Sequence, residues 1–152
     1  MARVAVSESK RHALLDTNVI VYAMVTDYSD RLHRKCLALV EKGLKGETDY
    51  ILALDPIIIV ETFSVLKETL GYTEAESRVS TLLRSRRIDF LLTSREACQN
   101  AVRWAKEKAV PVNDAMIGAN AAEHSALVYT ADEGHFKKLE KYGVRIVNPT
   151  KP

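Results

Sequence analysis

The chain has 152 residues, which suits one domain around one core, and 47% of them are hydrophobic, the ordinary content of a globular protein, so disorder is not the starting assumption. Lysine plus arginine number 22 against 20 acidic residues, so the net charge of +2 permits a nucleic-acid partner without pointing to one. The start lacks the apolar stretch of a signal peptide, and no uncharged apolar run approaches the about 18 residues of a membrane span, so a soluble cytoplasmic protein is expected, with no membrane partner.

Residues 1–11 read as a flexible leader, ahead of a single domain over 12–152. Residues 12–16 read as a short buried strand, and a helix opens directly from it over 17–25. A second helix covers 30–45, with Leu32, Cys36, Leu39 and Val40 on one stripe. The second strand is 50–54. Asp55-Pro56 then marks a helix start, aspartate as N-cap and proline at the first helical position, and that helix runs over 57–70 and stops at Gly71. Thr73 with Glu76 three residues on reads as the capping box of the next helix, which ends near 84–87.

Residues 88–92 form the expected third strand. Ser94 caps a helix that carries Ala97, Ala101, Trp104 and Ala105. Pro111 breaks the chain, and Asn113-Asp114 open a helix over 115–124. The fourth strand is 126–130, a short helix covers 136–142 and ends at Gly143, and the fifth strand is 144–147. Cys36 and Cys98 stand outside any CxxC spacing, which suggests neither a disulfide framework nor structural zinc; both read as small buried helix residues. Short apolar strands alternating with helices predict an α/β fold with a parallel sheet covered on both faces.

Four acids stand out in that frame. Asp16 is wedged between two apolar runs, where an ionised carboxylate is costly to desolvate without a partner. Asp132 lies just beyond strand four, and would meet Asp16 at the point where strand order reverses if strands one and four are neighbours. Asp114 opens a helix and Glu61 sits at the edge of an apolar helix face. Each also has a purely structural reading: helix cap for Asp16, turn residue for Asp132, complement to the helix dipole for Asp114, solvated stripe for Glu61. Together they make sense if a hard divalent cation, Mg²⁺ or Mn²⁺, neutralises them.

The segments Leu14-Leu15-Asp16-Thr17-Asn18-Val19-Ile20, Glu61, Asn113-Asp114-Ala115-Met116-Ile117-Gly118-Ala119 and Val128-Tyr129-Thr130-Ala131-Asp132 followed by Phe136 resemble the PIN-domain nucleases, in order and in context, over about residues 12–148. The resemblance implies a three-layer α/β/α domain with a central parallel sheet of about five strands and a metal-dependent ribonuclease site. It makes Asp16, Glu61, Asp114 and Asp132 the metal-binding and catalytic carboxylates, with Thr130 and Asn18 as polar helpers at the edge. One departure is the lengthened spacing between Asp132 and Phe136, where Glu133 could replace or assist Asp132. Size and the absence of an added domain are similar to VapC-type toxins, which implies RNA as substrate, a homodimer and a cognate antitoxin protein.

The densest basic runs, Arg84, Arg86 and Arg87, and Lys137 with Lys138, are the candidate RNA contacts; solvated helix ends are the plainer reading. His124 and His135 read as ordinary surface residues. Two rivals remain open: a haloacid-dehalogenase-type phosphatase with Asp16 as nucleophile, and a catalytically silent PIN-like or receiver-like module that only docks partners. The first normally places a second acid two residues on, where this chain has Asn18.

Overall fold

Short apolar segments in a core can satisfy their backbone groups only by pairing with one another, and five of them do so. The computed structural model describes residues 10–26 and 29–152. Strands β1 (Arg11–Leu15), β2 (Tyr50–Leu54), β3 (Asp89–Phe90), β4 (Leu127–Tyr129) and β5 (Arg145–Val147) form one parallel sheet in the order β3-β2-β1-β4-β5. β1 is central, with Leu14 opposite Ala53 on one side and Val128 on the other. Its residues Ala13, Leu14 and Leu15 are completely buried.

Parallel neighbours need long crossovers, and helices supply them. They are α1 (Thr17–Met24), α2 (Asp30–Leu44), α3 (Pro56–Leu70), α4 (Tyr72–Arg84), α5 (Arg95–Lys108), α6 (Val112–Glu123) and the single turn α7 (Gly134–Lys137). From β1 the chain steps outward to β2 and then β3; right-handed crossovers put α1 to α4 on one face. From β3 it returns across the sheet to β4 and β5, which puts α5 to α7 on the other. α1 packs against α2 and α3, and α5 against α6. The result is the three-layer α/β/α fold that the alternation of elements predicts.

Local signals act as expected at several joints. Asp55 Oδ1 accepts from the Ile58 N–H at 2.9 Å, Ser94 Oγ accepts from the Ala97 N–H at 3.0 Å, and Gly71, at φ 86°, ends α3. The expected capping box at Thr73 does not form. α4 begins at Tyr72, and Gly71 both closes α3 and precedes α4, so Thr73 already lies inside the helix. β3 is only two residues, both exposed, because it is a sheet edge; Leu91 N–H still reaches Leu54 O at 2.8 Å. The last expected helix divides into α7 and a 3₁₀ turn at Glu140–Tyr142. Arg11, assigned to the leader by sequence, belongs to β1; the first nine residues lie outside the described ones. Cys36 is buried and Cys98 half-buried, both as free thiols. Among the described residues no helix is long and apolar enough to cross a membrane.

One close approach sets the distance between a helix layer and the sheet. Gly43, in the last turn of α2, faces Leu52 of β2, and a Cβ there would lie 2.1 Å from Leu52 Cδ1 and 2.5 Å from its Cγ. Overpacking costs about 1–3 kcal/mol, against the about 1 kcal/mol that alanine adds through helix propensity. Gly43→Ala is therefore expected to lower the thermal midpoint. An equal or higher midpoint would mean that Leu52 turns aside without loss.

Candidate active site

The chain leaves β1 and β4 for opposite faces of the sheet, and a cleft opens beyond their carboxyl ends. The ladder continues one rung past the strands: the Asp16 N–H donates to Tyr129 O at 2.9 Å. This sets Asp16 beside Thr130. Asp16 is only 7% exposed and Thr130 completely buried. The Thr130 hydroxyl donates to Asp16 Oδ2 at 2.9 Å; the Asp132 carbonyl, at 3.0 Å, is the alternative acceptor for its single proton. Thr130 Oγ1 itself accepts from the Asp132 N–H at 3.1 Å and from Asn18 Nδ2 at 3.4 Å. Asn18 Oδ1 accepts from the Ala131 N–H at 3.1 Å. One hydroxyl and one amide thus join the ends of β1 and β4 and shape the loop that carries Asp132.

All four acids line a single cavity of about 560 Å³. Asp16 comes from the end of β1, Glu61 from α3, Asp114 from the first turn of α6, and Asp132 from the loop after β4. Both oxygens of Glu61 are held, by the Thr17 hydroxyl at 3.2 Å and by Asn113 Nδ2 at 2.8 Å. Asp114 Oδ2 lies 2.8 Å from His135 Nδ1. Structural and site roles coincide rather than compete: Asp16 also accepts from the Thr17 N–H at 2.9 Å as the cap of α1, and Asp132 accepts from the Gly134 N–H at 3.2 Å in its turn.

Burial pushes the Asp16 carboxyl up to about 7; the bonds from Thr130 and from the Thr17 N–H pull the other way, and the charges of Asp114 and Glu61 add to the rise. Burial also raises Asp114, opposed by His135 and reinforced by Asp132. The acids therefore feel one another, although among the described residues no group of three or more acid, histidine or cysteine side chains is placed to hold an ion directly. Magnesium binds through one or two carboxylates and keeps several waters. Separate carboxylates spaced round a cavity with room for water fit that kind of ion better than a closed protein cage would.

The remaining candidates divide. Glu133 does not line the cavity; it turns to Lys151, Asn148 and Lys137, and the Lys151 ammonium, with the Asn148 amide, holds its carboxyl at about 2. It does not stand in for Asp132. Arg86 and Arg87 line a separate cavity at the opposite end of the strands, and Arg84, in the last turn of α4, lines neither. Lys137 is paired with Glu133 at 3.3 Å, and Lys138 follows at the end of α7. Thr17, Asn113 and His135 join the site without standing out in the sequence. The first two are the neighbours of Asp16 and Asp114 at helix starts, where a polar residue points along the same cleft; His135, by sequence an ordinary surface residue, is bound to Asp114.

The Asp16 shift carries a stability consequence. Its folded value of about 7 lies above the ordinary 3.8, so the folded state binds the proton more tightly, and the stability this confers at low pH is lost as pH rises from about 4 to about 7. The ionised form then costs on the order of 4 kcal/mol. Asp16→Asn, which keeps a capping side chain, is expected to raise the thermal midpoint by several degrees at pH 8 in chelator. The gain should vanish near pH 4. Equal midpoints at pH 8 would show that the carboxylate is not under strain.

No curated protein matches the chain. Solved structures do. VapBC2 from Rickettsia felis, bound to a DNA fragment from its promoter, superposes with a TM-score of 0.68 at 18% identity, over 90% of this chain and 98% of that one. VapC20 from Mycobacterium tuberculosis, described as a sarcin-ricin loop cleaving toxin, gives 0.67 at 14% identity over 82% and 93%. FitAcB from Neisseria gonorrhoeae gives 0.62 at 23% identity over 90% and 97%. At these identities the likeness is one of fold. The chain also matches the PIN domain over residues 13–142, which takes in β2 to β4, the last three residues of β1 and all four acids of the cavity. With that match, the chain belongs to the PIN domain family.

Proposed function

We propose that the protein hydrolyses phosphodiester bonds in RNA with a divalent cation, Mg²⁺ or Mn²⁺, as the toxin of a toxin–antitoxin pair. The observation that carries this reading is the opening of Asp16, Glu61, Asp114 and Asp132 onto one cavity at the switch point of a PIN domain. The fold neighbours support it: one is described as a sarcin-ricin loop cleaving toxin, one as a toxin-antitoxin complex, and others as VapBC proteins bound to DNA.

Asp16, Glu61, Asp114 and Asp132 are the residues that would hold the cation, directly or through its waters. Such an ion neutralises crowded carboxylates, activates water and stabilises charge on a phosphoryl group. Glu61, fixed at both oxygens by Thr17 and Asn113, is oriented to accept a proton or a water rather than to swing freely. Thr130 and Asn18 keep Asp16 and Asp132 in fixed relation through the approach of substrate. His135 holds Asp114 from behind. The phosphatase alternative gains nothing from the geometry, since the residue two places after Asp16 is Asn18, engaged at both ends of its amide.

The same reading makes the protein cytoplasmic, a homodimer, and the partner of an antitoxin that covers the cavity. Val60, 63% exposed on α3, lines the cavity and offers an apolar contact at its mouth. Purified protein is expected to cleave single-stranded RNA with Mg²⁺ or Mn²⁺ and to stop in excess chelator. Asp16→Asn should reduce the rate by about a hundredfold or more, as loss of a central electrostatic group does. Undiminished cleavage in chelator, or by the variant, would overturn the proposal; Mn²⁺ binding without any cleavage of RNA would favour a silent docking module.

A further inference from the structure

The basic run before β3 does not serve the acidic cavity. It lies at the other end of the sheet, where Lys10, Tyr50, Arg86, Arg87 and Asp89 line a second cavity of about 310 Å³ under the first residues of β1 and β2. A five-residue strand spans about 17 Å, so the two cavities are separated by the full length of β1. Three cationic side chains gathered round one hollow repel each other, and folding alone does not require them there.

Their hydrogen-bonding capacity is largely unspent. Among the described residues, neither the Arg86 nor the Arg87 guanidinium has an ion pair or a side-chain hydrogen bond. Lys10 Nζ donates to Gly46 O at 3.2 Å and Thr48 O at 2.7 Å, which fixes its position and leaves one of its three N–H groups. The one acid on the wall, Asp89, is taken by His12 Nε2 at 2.7 Å. The loop is shaped around the arginine: Gly46 has φ 73°, and a Cβ there would lie 2.5 Å from Arg87 Nη1. Gly46 thus gives the guanidinium room against the backbone while its donors stay free.

We propose that this cavity binds a phosphate group, independently of the catalytic site. Two guanidinium forks and an ammonium around a hollow of this size match the several oxygens of a phosphomonoester, which arginine grips in bidentate fashion. The phosphate can come from a free mononucleotide or inorganic phosphate, or from the end of an RNA strand, and the chemistry of capture is the same.

Calorimetry in chelator at low ionic strength, where no RNA is cut, tests it with inorganic phosphate, a 5′-mononucleotide, and a short oligoribonucleotide with either a 5′-phosphate or a 5′-hydroxyl. Saturable binding is expected, weakened about tenfold or more in Arg86→Ala/Arg87→Ala, the effect of losing charged hydrogen bonds. Tighter binding of the 5′-phosphorylated strand than of the mononucleotide, lost in the 5′-hydroxyl strand, identifies an RNA end; equal affinity for mononucleotide and phosphorylated strand identifies a free ligand. Both residues are exposed, so the double variant is expected to melt with wild-type protein. Gly46→Ala, which crowds Arg87, should weaken binding in the same direction. No saturable binding of any of these probes, or the same affinity in the double variant, would overturn the proposal, whatever the outcome at the acidic cavity.

Discussion

The bond from the Thr130 hydroxyl to Asp16 Oδ2 joins the two halves of the molecule at the place where they diverge. β1 leads to one helix layer and β4 belongs to the other, so the sheet ladder alone does not fix the segments beyond their carboxyl ends. A buried carboxylate there needs a donor, and a buried hydroxyl needs partners for its proton and its lone pairs. Each answers the other, and the spare capacity of the hydroxyl sets the backbone of Asp132. Remove that bond and two of the four acids lose their fixed relation, although every strand and helix could still form.

Asp55 shows why the environment rather than the residue type makes a site. It follows β2 as Asp16 follows β1, also caps a helix, though through the N–H three residues on rather than the next one, and is more deeply buried. Burial raises its carboxyl too. Yet Asp55 Oδ2 is closed off by Asn120 Nδ2 at 3.0 Å inside the core, and it does not line the acidic cavity. One strand-end aspartate is a sealed structural cap, and the other faces a hollow shared with three more acids. The sequence offers the same grammar for both; only the neighbouring strand, β4 beside β1 and β3 beside β2, separates them.

That comparison marks the limit of what residues in order convey. The fold class, the five strands and caps such as Asp55-Pro56 and Ser94 are legible because they depend on local periodicity and on backbone donors one turn away. Thr73 misleads because the deciding feature is the positive φ of Gly71, which lets two helices abut with no linker between them. The four acids are legible through their motifs. The partners that orient them are less so: Asn113 meets Glu61 across 52 positions and His135 meets Asp114 across 21, and such pairs exist only once the chain is folded. Arg86 and Arg87 show a different limit, since a local excess of charge says nothing about which end of a sheet it will occupy.

The lengthened loop after Asp132 reaches beyond the part of the chain that matches the PIN domain. Glu133, next to Asp132, is gripped by Asn148 and Lys151, and Asn148 also holds Ala131 O at 3.4 Å, while Arg31 of α2 binds the Thr150 carbonyl. The family match ends at residue 142. A fragment trimmed to that boundary would retain all four carboxylates and the helices that bear them. It would also lack the guy-ropes on both sides of Asp132, and would be a poor surrogate for the whole chain in any measurement that depends on how stiffly that corner is held.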